Sequence, residues 1–241
     1  MGLGLRSYGD DGMSGFAHVA IDGPAGSGKT TVARALSRRL GILNLDTGAM
    51  YRALALAALQ SGVPVDDEAA IMRLAQARPI DVALDPQSSD GFVISIGGTE
   101  VGEALYRNEV STIVSIVAAY PGVRRLMVER QRAIAEAGSV VMAGRDIGTV
   151  VLPDAPVKIY LTASLEARVD RRLAELAQQG TIVDLAELRA QMIERDELDA
   201  HRTASPLRPA DDAITIDSTH LSVDEVVARV AGAIEAATAA P

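Results

Sequence analysis

The chain contains no cysteine. Disulfides, thiolate nucleophiles and cysteine-ligated metals are therefore excluded. Histidine is nearly as scarce, and His18, His201 and His220 form no zinc-ligand spacing. No apolar run reaches about 18 residues, the length that reads as a membrane-spanning helix. Only two of the 23 basic residues are lysines, Lys29 and Lys158. Most of the arginines in so Arg- and Ala-rich a chain reflect composition, but the planar guanidinium grips phosphate, so clusters of it matter more than the count. The net charge of −9 argues against a nucleic-acid duplex as partner, because backbone binding needs a basic face. A local positive cluster remains compatible with that average. Residues 1–17 are Gly-rich, contain Asp10 and Asp11, and lack the charged start, apolar middle and cleavage site of a secretory signal. They read as a loose tail, or as an upstream start before Met13. A cytoplasmic protein with no membrane or nucleic-acid partner is the expectation.

What is present is a large apolar fraction, 48% of 241 residues, which suits one large domain or a core with insertions. Phe16 to Ile21 is a short apolar run ending in Gly-Pro, a buried strand before a turn. Lys29 to Leu40 has helical spacing (Val32, Leu36, Leu40), and Gly41 stops it. A strand at Ile42 to Leu45 and a helix from about Gly48 to Gln60 follow, and Asp66 or Asp67 can cap a further short helix. From about Ile80 to Val101 the pattern changes. Asp81 to Asp85 and Phe92 to Ile96 read as strands, with turns at Pro86 to Gly91 and Gly97-Gly98, a small antiparallel insert. Two helices broken near Pro121 come next, then strands at Val140 to Ala143 and Val157 to Leu161. Ser164 caps a helix, Glu194 to His201 lies on a later one, and Ile214 to Ile216 is the last strand. Ser222 and Glu225 make a capping box for the last helix. Strands alternating with helices predict an α/β fold with a parallel sheet covered on both faces. Ligands of such sheets bind outside the carboxyl ends of the strands. Three candidate strand ends carry chemistry: Gly23 to Thr30, Asp46-Thr47-Gly48 and Gly144-Arg145-Asp146.

The first of these, Gly23-Pro24-Ala25-Gly26-Ser27-Gly28-Lys29-Thr30, matches G-x-x-x-x-G-K-[ST], the phosphate-binding loop, and Thr31 follows it. The glycines let backbone N–H groups face a polyphosphate, Lys29 reaches the outer phosphates, and the Thr30 hydroxyl binds Mg²⁺. The helix that follows points its positive end at the same anion. ATP and Mg²⁺ are the expected cofactors. The loop alone serves switch GTPases, motors, transport ATPases and small-molecule kinases. The guanine-reading Asn-Lys-x-Asp is absent, and no hydrophobic strand ends in Asp-Glu. A compact kinase suits the polar residues at the other strand ends.

At this point the chain resembles the bacterial cytidylate kinases, which phosphorylate CMP and dCMP. The segments that carry the resemblance are IDGPAGSGKTTVARALSRRLG, LDTGAMYRALALAAL, AGRDIGTVVLPDAPVKIYLTAS, RDELDAHRTASPLRPADDAITIDST and the helical stretch from Val110 to Arg132. Four motifs in order across roughly Val19 to Val230 are far more specific than the loop alone. The resemblance implies a parallel-sheet P-loop kinase core with an acceptor-side insert and a helical lid. On it the chain divides into a tail (1–17), core with the loop (18–79), insert (80–108), core (109–163), lid-containing helical segment (164–210), and core with the C-terminal helix (211–241).

The resemblance also implies an acceptor site. Thr47 and Tyr51, four apart at a helix start, touch the nucleotide, and Arg52 its phosphate. Ser115, Arg124 and Asp146 read cytosine. A carboxylate can accept from the N4 amino group, whereas uracil presents a carbonyl there. Arg145 and Arg202 hold the acceptor phosphate, and with Lys29 they are the expected catalytic cations. Asp199 takes the sugar hydroxyl, and Arg195 contacts near the sugar and the phosphates. Taken without the resemblance, Tyr51 is an ordinary half-buried tyrosine and Arg124 and Asp146 pair with each other. Arg195, Asp199 and Arg202, at i, i+4 and i+7 on one helical face, then make an ion-pair row. Arg168, Arg171 and Arg172 cluster where the lid begins and either close over the triphosphate or form a solvated basic face. One departure stands out: Tyr106 occupies a position where the family usually has arginine, with Arg107 one step later.

The attacking phosphate oxygen is already largely ionised near neutral pH, so no general base is needed, and catalysis is positioning plus charge stabilisation. A monomer is expected because one chain completes the cleft. Two other readings remain open at the level of residues: a kinase for UMP, AMP or a sugar acid, and a P-loop regulator that transfers nothing.

Overall fold

The computed structural model describes residues 18–239 except Pro86, Ser89 and Gln179. The tail, residues 16 and 17 of the first expected strand, and Pro86 of the insert turn lie outside the described residues. Along the chain run β1 (His18–Asp22), α1 (Lys29–Leu40), β2 (Leu43–Asp46), α2 (Thr47–Ser61) and α3 (Glu68–Ala77). The insert holds β3 (Ile80–Leu84), β4 (Phe92–Ile96) and β5 (Thr99–Glu100), closed by a 3₁₀ turn at Gly102–Tyr106. Next come α4 (Asn108–Ala119), α5 (Pro121–Glu136) and β6 (Val140–Gly144). A π turn at Ile147–Val151 leads to β7 (Val157–Thr162), α6 (Leu165–Gln178), α7 (Leu185–His201), β8 (Ile214–Asp217) and α8 (Val223–Ala239).

Two sheets form. The larger has the order β2-β6-β1-β7-β8, every pair parallel, and the smaller is the antiparallel β3-β4-β5. Helices cover both faces of the larger sheet, which is why its strands read as nearly unbroken apolar runs. Alternation along the strands sorts the layers. Val19 and Ile21 of β1 and Val141 and Ala143 of β6 pack with Val32 and Leu36 of α1 and Val226 and Val230 of α8. Ala20, Val140 and Met142 point the other way, into a core built from α2 to α5 and the insert. The alanines of α2 have their reason here. Ala53, Ala55, Ala57 and Ala58 are all fully buried, because this helix is enclosed on every side and larger residues would hold its neighbours off.

Helix ends follow local chemistry. Gly41 ends α1 in the left-handed conformation (φ 67°), and Asp46 and Asp67 cap α2 and α3 by accepting from Gly48 N and Ala70 N. Ser222 and Glu225 exchange their capping-box bonds. Helices α6 and α7 pair into a hairpin with a small core of its own, Val169, Leu176, Leu188 and Met192. Among the described residues no helix is long and apolar enough to cross a membrane.

Candidate active site

The carboxyl ends of β1, β2, β6 and β7 converge on one edge of the sheet. From β1 the chain turns at Gly23 (φ 150°), where a Cβ would lie 1.9 Å from the carbonyl oxygen of Leu161 at the end of β7. Only glycine fits, since backbone cannot yield as a side-chain tip can. Gly23→Ala is expected to displace the loop, to cost more than about 3 kcal/mol of stability, and to abolish ATP binding. Thermal melting and nucleotide titration check it, and a variant that binds ATP normally would refute this account of the turn.

The loop delivers Lys29 at the first position of α1. Its Nζ donates to Pro24 O at 2.7 Å and to Ser27 Oγ at 3.4 Å. Burial, and then the Arg145 guanidinium, pull the Lys29 ammonium well below its usual pKa. An anion between Lys29 and Arg145 relieves both effects. Thr30 Oγ1 donates to Asp46 Oδ2 at 2.7 Å. Hydroxyl and carboxylate are hard oxygen donors of the kind Mg²⁺ takes. No cluster of three or more acidic or histidine side chains able to hold a metal by itself occurs among the described residues. The pair therefore fits an ion whose remaining ligands are phosphate oxygens and water. Thr31 lies beside a second cavity behind the loop, lined by Gly26, Thr31, Val32, Arg171, Leu221 and Val223.

The arginines of α6 are not a solvated face. Arg168 donates to Ala163 O and Ala25 O and pairs with Asp196 of α7 at 2.7 Å. Arg171 reaches Gly26 O, Ser218 Oγ and Ser218 O. Two of the three thus brace the outer side of the phosphate loop, and Arg172 pairs with Glu175.

A cleft lined mostly by polar and charged side chains lies beside Lys29. Thr47, Tyr51, Arg52, Ser115, Arg124, Arg145, Asp146, Arg195, Asp199 and Arg202 all line it, brought from α2, α4, α5, the end of β6 and α7. Thr47 Oγ1 donates to Ala143 O at 2.9 Å. Arg52 donates to Ser111 Oγ at 2.8 Å and lies 5.6 Å from the centre of the Tyr106 ring. Arg124 bonds Asp146 at 2.5 Å, both almost fully buried, and stacks 5.3 Å from the centre of the Tyr51 ring. Arg145 Nε donates to Asp199 Oδ2 at 2.7 Å.

One expectation needs correcting. Arg202 is not on the helical face of Arg195 and Asp199, because α7 ends at His201 and Arg202 is extended (φ −61°, ψ 142°). The chain folds back there, with Leu207 N on Asp199 O and Arg202 Nε on Ser205 O, and Arg202 still reaches Asp199 at 3.4 Å. Tyr106 and Arg107 differ in surroundings: the Tyr106 ring lies beside Arg52, whereas Arg107 does not. Arg107 is exposed and lies 3.8 Å from Glu109, outside the lining of the cleft.

Charge in the cleft is unbalanced. Five arginines line it against Asp46, Asp146 and Asp199. Burial, with Arg145 and Arg52 nearby, pushes Arg195 down to about 10. Burial alone would raise Asp199, but Arg145 and Arg195 hold it below the usual carboxylate value. Burial pushes the Tyr51 phenol up to about 12, so it stays a neutral hydroxyl. Arg124 Nε, Arg195 Nε and Arg202 Nη2 are buried without a hydrogen-bond partner. Buried polar atoms are nearly always paired, so such a group of them in one cleft marks a polar ligand site. The excess of two positive charges, with Lys29 adjoining, matches a phosphate monoester of about −1.5 to −2.

Residue patterns alone placed Asp46 at a chemistry-bearing strand end without giving it a role, and did not single out Asp22. Both are the last residue of a strand on this edge, and that position was the available signal. Ser218 and Leu221 behind the loop carried no signal, since they reach it only through the docking of β8.

A family model described as cytidylate kinase matches residues 19–236. The cytidylate kinase of Pelotomaculum thermopropionicum is 48% identical over 224 residues, covering 93% of this chain and 98% of its own. That of Geobacillus sp. strain WCH70 is 48% identical over 218 residues, covering 90% and 96%. A bifunctional pantoate ligase/cytidylate kinase of Synechococcus sp. strain JA-3-3Ab is 49% identical over 212 residues, 88% of this chain, which spans only 39% of that longer protein. The family match runs from β1 into α8 and so takes in the phosphate loop and every side of the charged cleft: the chain belongs to the cytidylate kinase family.

Proposed function

We propose that this protein transfers the γ-phosphoryl group of ATP to CMP and dCMP, giving ADP with CDP or dCDP. The observation that carries the acceptor assignment is the buried Arg124–Asp146 pair in the wall of the cleft beside Tyr51. With one oxygen of Asp146 on Arg124, the other is available to accept from the cytosine N4 amino group. The free Arg124 Nε donates toward the ring's O2 and N3. Ser115 and Thr47 line the same space and contact the nucleotide. Arg52, Arg145 and Arg202 take the acceptor phosphate, Asp199 a sugar hydroxyl, and Arg195 the region between sugar and phosphates.

The loop from Gly23 to Thr31 holds the triphosphate through its backbone N–H groups, of which Pro24 has none, and the cavity behind the loop accepts the rest of the donor. Thr30, backed by Asp46, would hold Mg²⁺, which when bound neutralises phosphate charge at the donor. No residue abstracts a proton, because the attacking oxygen of CMP is largely ionised at neutral pH. Lys29, Arg145 and Arg202 stabilise the charge that spreads over the transferring group. Inward movement of α6 and α7 would exclude water, which competes as acceptor. All these residues come from one chain, which supports a monomer, and the use of ATP with a nucleotide acceptor suits the cytoplasm.

Measuring ADP release by a coupled assay with CMP, dCMP, UMP and AMP in turn tests the reading. CMP and dCMP are expected to exceed UMP in kcat/KM by about 10- to 100-fold, the range set by one unsatisfied buried polar contact. ADP release independent of CMP, or equal use of AMP, would refute it.

A further inference from the structure

We propose that Asp22 is a positioning residue that joins the two halves of the cleft: its carboxylate, on the last residue of β1, holds the backbone of the turn that carries Arg145 and Asp146. The inference rests on the acceptor role given to those two residues above. Asp22 is 3% exposed, and both of its oxygens are used. Oδ1 accepts from Ile147 N and Oδ2 from Gly148 N, each at 2.7 Å. These are the opening amides of the π turn. Its later amides bond within it, Val150 N and Val151 N to Asp146 O and Leu152 N to Ile147 O. The first amides of a helical turn have no acceptor inside the turn. Here a side chain 125 residues away supplies both acceptors.

A Cβ on Gly148 would lie 3.4 Å from Asp22 Oδ2 and 3.2 Å from Lys158 Cδ. The residue after Asp22 is Gly23, where the phosphate loop begins. One aspartate therefore sets the spacing between the donor's loop and the acceptor's turn, and in-line transfer is sensitive to that spacing. Asp146 beyond the turn, Lys29 from α1 and Tyr160 from β7 are the titratable groups that face Asp22, while the Lys158 stem passes Gly148 and its ammonium sits on Asp212. Burial pushes its carboxyl up to about 6, against the pull of the two amides and of Lys29. The ionised carboxylate accepts both amides. A protonated one turns a hydroxyl toward one N–H, so the turn loosens as pH falls through about 6.

The test compares the unmodified protein with Asp22→Asn between pH 5 and 9. At pH 8 the variant is expected to raise KM for CMP about tenfold and lower kcat about tenfold, with the Kd for ATP alone changed less than about threefold. On the acid side, log kcat/KM for CMP should fall with a slope approaching two in the unmodified protein. One proton goes to Asp22 and one to the CMP phosphate, whose second pKa is about 6. The variant keeps only the substrate's proton and a slope of one. Equal slopes, or an unchanged KM, overturn the proposal. Asp22→Glu retains the carboxylate but moves it by one methylene, and should raise KM for CMP in the same direction if Asp22→Asn is too unstable to assay. Should the unmodified protein show no turnover with CMP, the acceptor reading fails separately. The clamp is then read by amide exchange, where Ile147 and Gly148 are expected to exchange at least about tenfold faster in Asp22→Asn. Unchanged exchange there overturns it.

Discussion

Lys29→Met is expected to lower kcat by about 10³-fold with little change in the fold. Removing a single preorganised donor to a transition state costs about 10²–10³ in kcat, and Lys29 carries a full charge as well as hydrogen bonds. The position is 7% exposed, so methionine has the right size and polarity for it. Burial and Arg145 hold the ammonium below its usual pKa, so ionising it inside the fold is costly. The thermal midpoint of the variant should therefore be unchanged or raised, which separates a catalytic loss from an unfolding one. Steady-state kinetics and thermal melting on the same sample check both. A variant that kept more than about a tenth of kcat would contradict the role given to Lys29.

The second large effect is at Asp146. Asp146→Ala leaves Arg124 buried with no counter-charge, and breaking one side of such a pair costs about 3–5 kcal/mol. In a chain of this size that is roughly a 6–20 °C fall in the thermal midpoint. Asp146→Asn is gentler on the fold and sharper on function. Its amide oxygen faces Arg124, so its NH₂ faces the base, and a donor there suits the O4 carbonyl of uracil rather than the N4 amino group of cytosine. The expected result is a fall of about 100-fold in kcat/KM for CMP, a CMP-to-UMP preference near or below one, and ATP binding within about threefold of the unmodified protein. Competition assays with both acceptors decide it. Retained preference for CMP would mean that Asp146 serves the fold and something else reads the base.

How much was legible differs from one part of the cleft to the other. The phosphate loop is contiguous, so its eight-residue pattern between a strand and a helix was enough to find it. The α/β alternation, the antiparallel insert, the Gly41 stop and the Ser222–Glu225 box were readable because each rests on residues near one another in sequence. The π turn after Asp146 was not, since its opening amides depend on Asp22 at the far end of the chain. The helix end at His201 was readable, but the place of Arg202 was misread. Periodicity carried Arg202 onto the helix, whereas the fold-back of Leu207 onto Asp199 takes the chain off it. The arginines of α6 could be seen as a cluster. That Arg168 and Arg171 brace the phosphate loop depends on α6 and β8 being packed against it.

By itself, the sequence determined the fold class, the donor loop and, through motifs in order, the family. Those are properties of local spacing and of side-chain type, and they survive without knowing what touches what. Only the tertiary structure decided how ten residues from five parts of the chain surround one cleft with more positive than negative charge. It also decided which polar atoms there are buried and unpaired, and that Asp22 spans from the donor loop to the acceptor turn. The physical reason is that desolvation and pairing depend on three-dimensional neighbours, and bonded neighbours that matter here lie 126 and 145 residues apart.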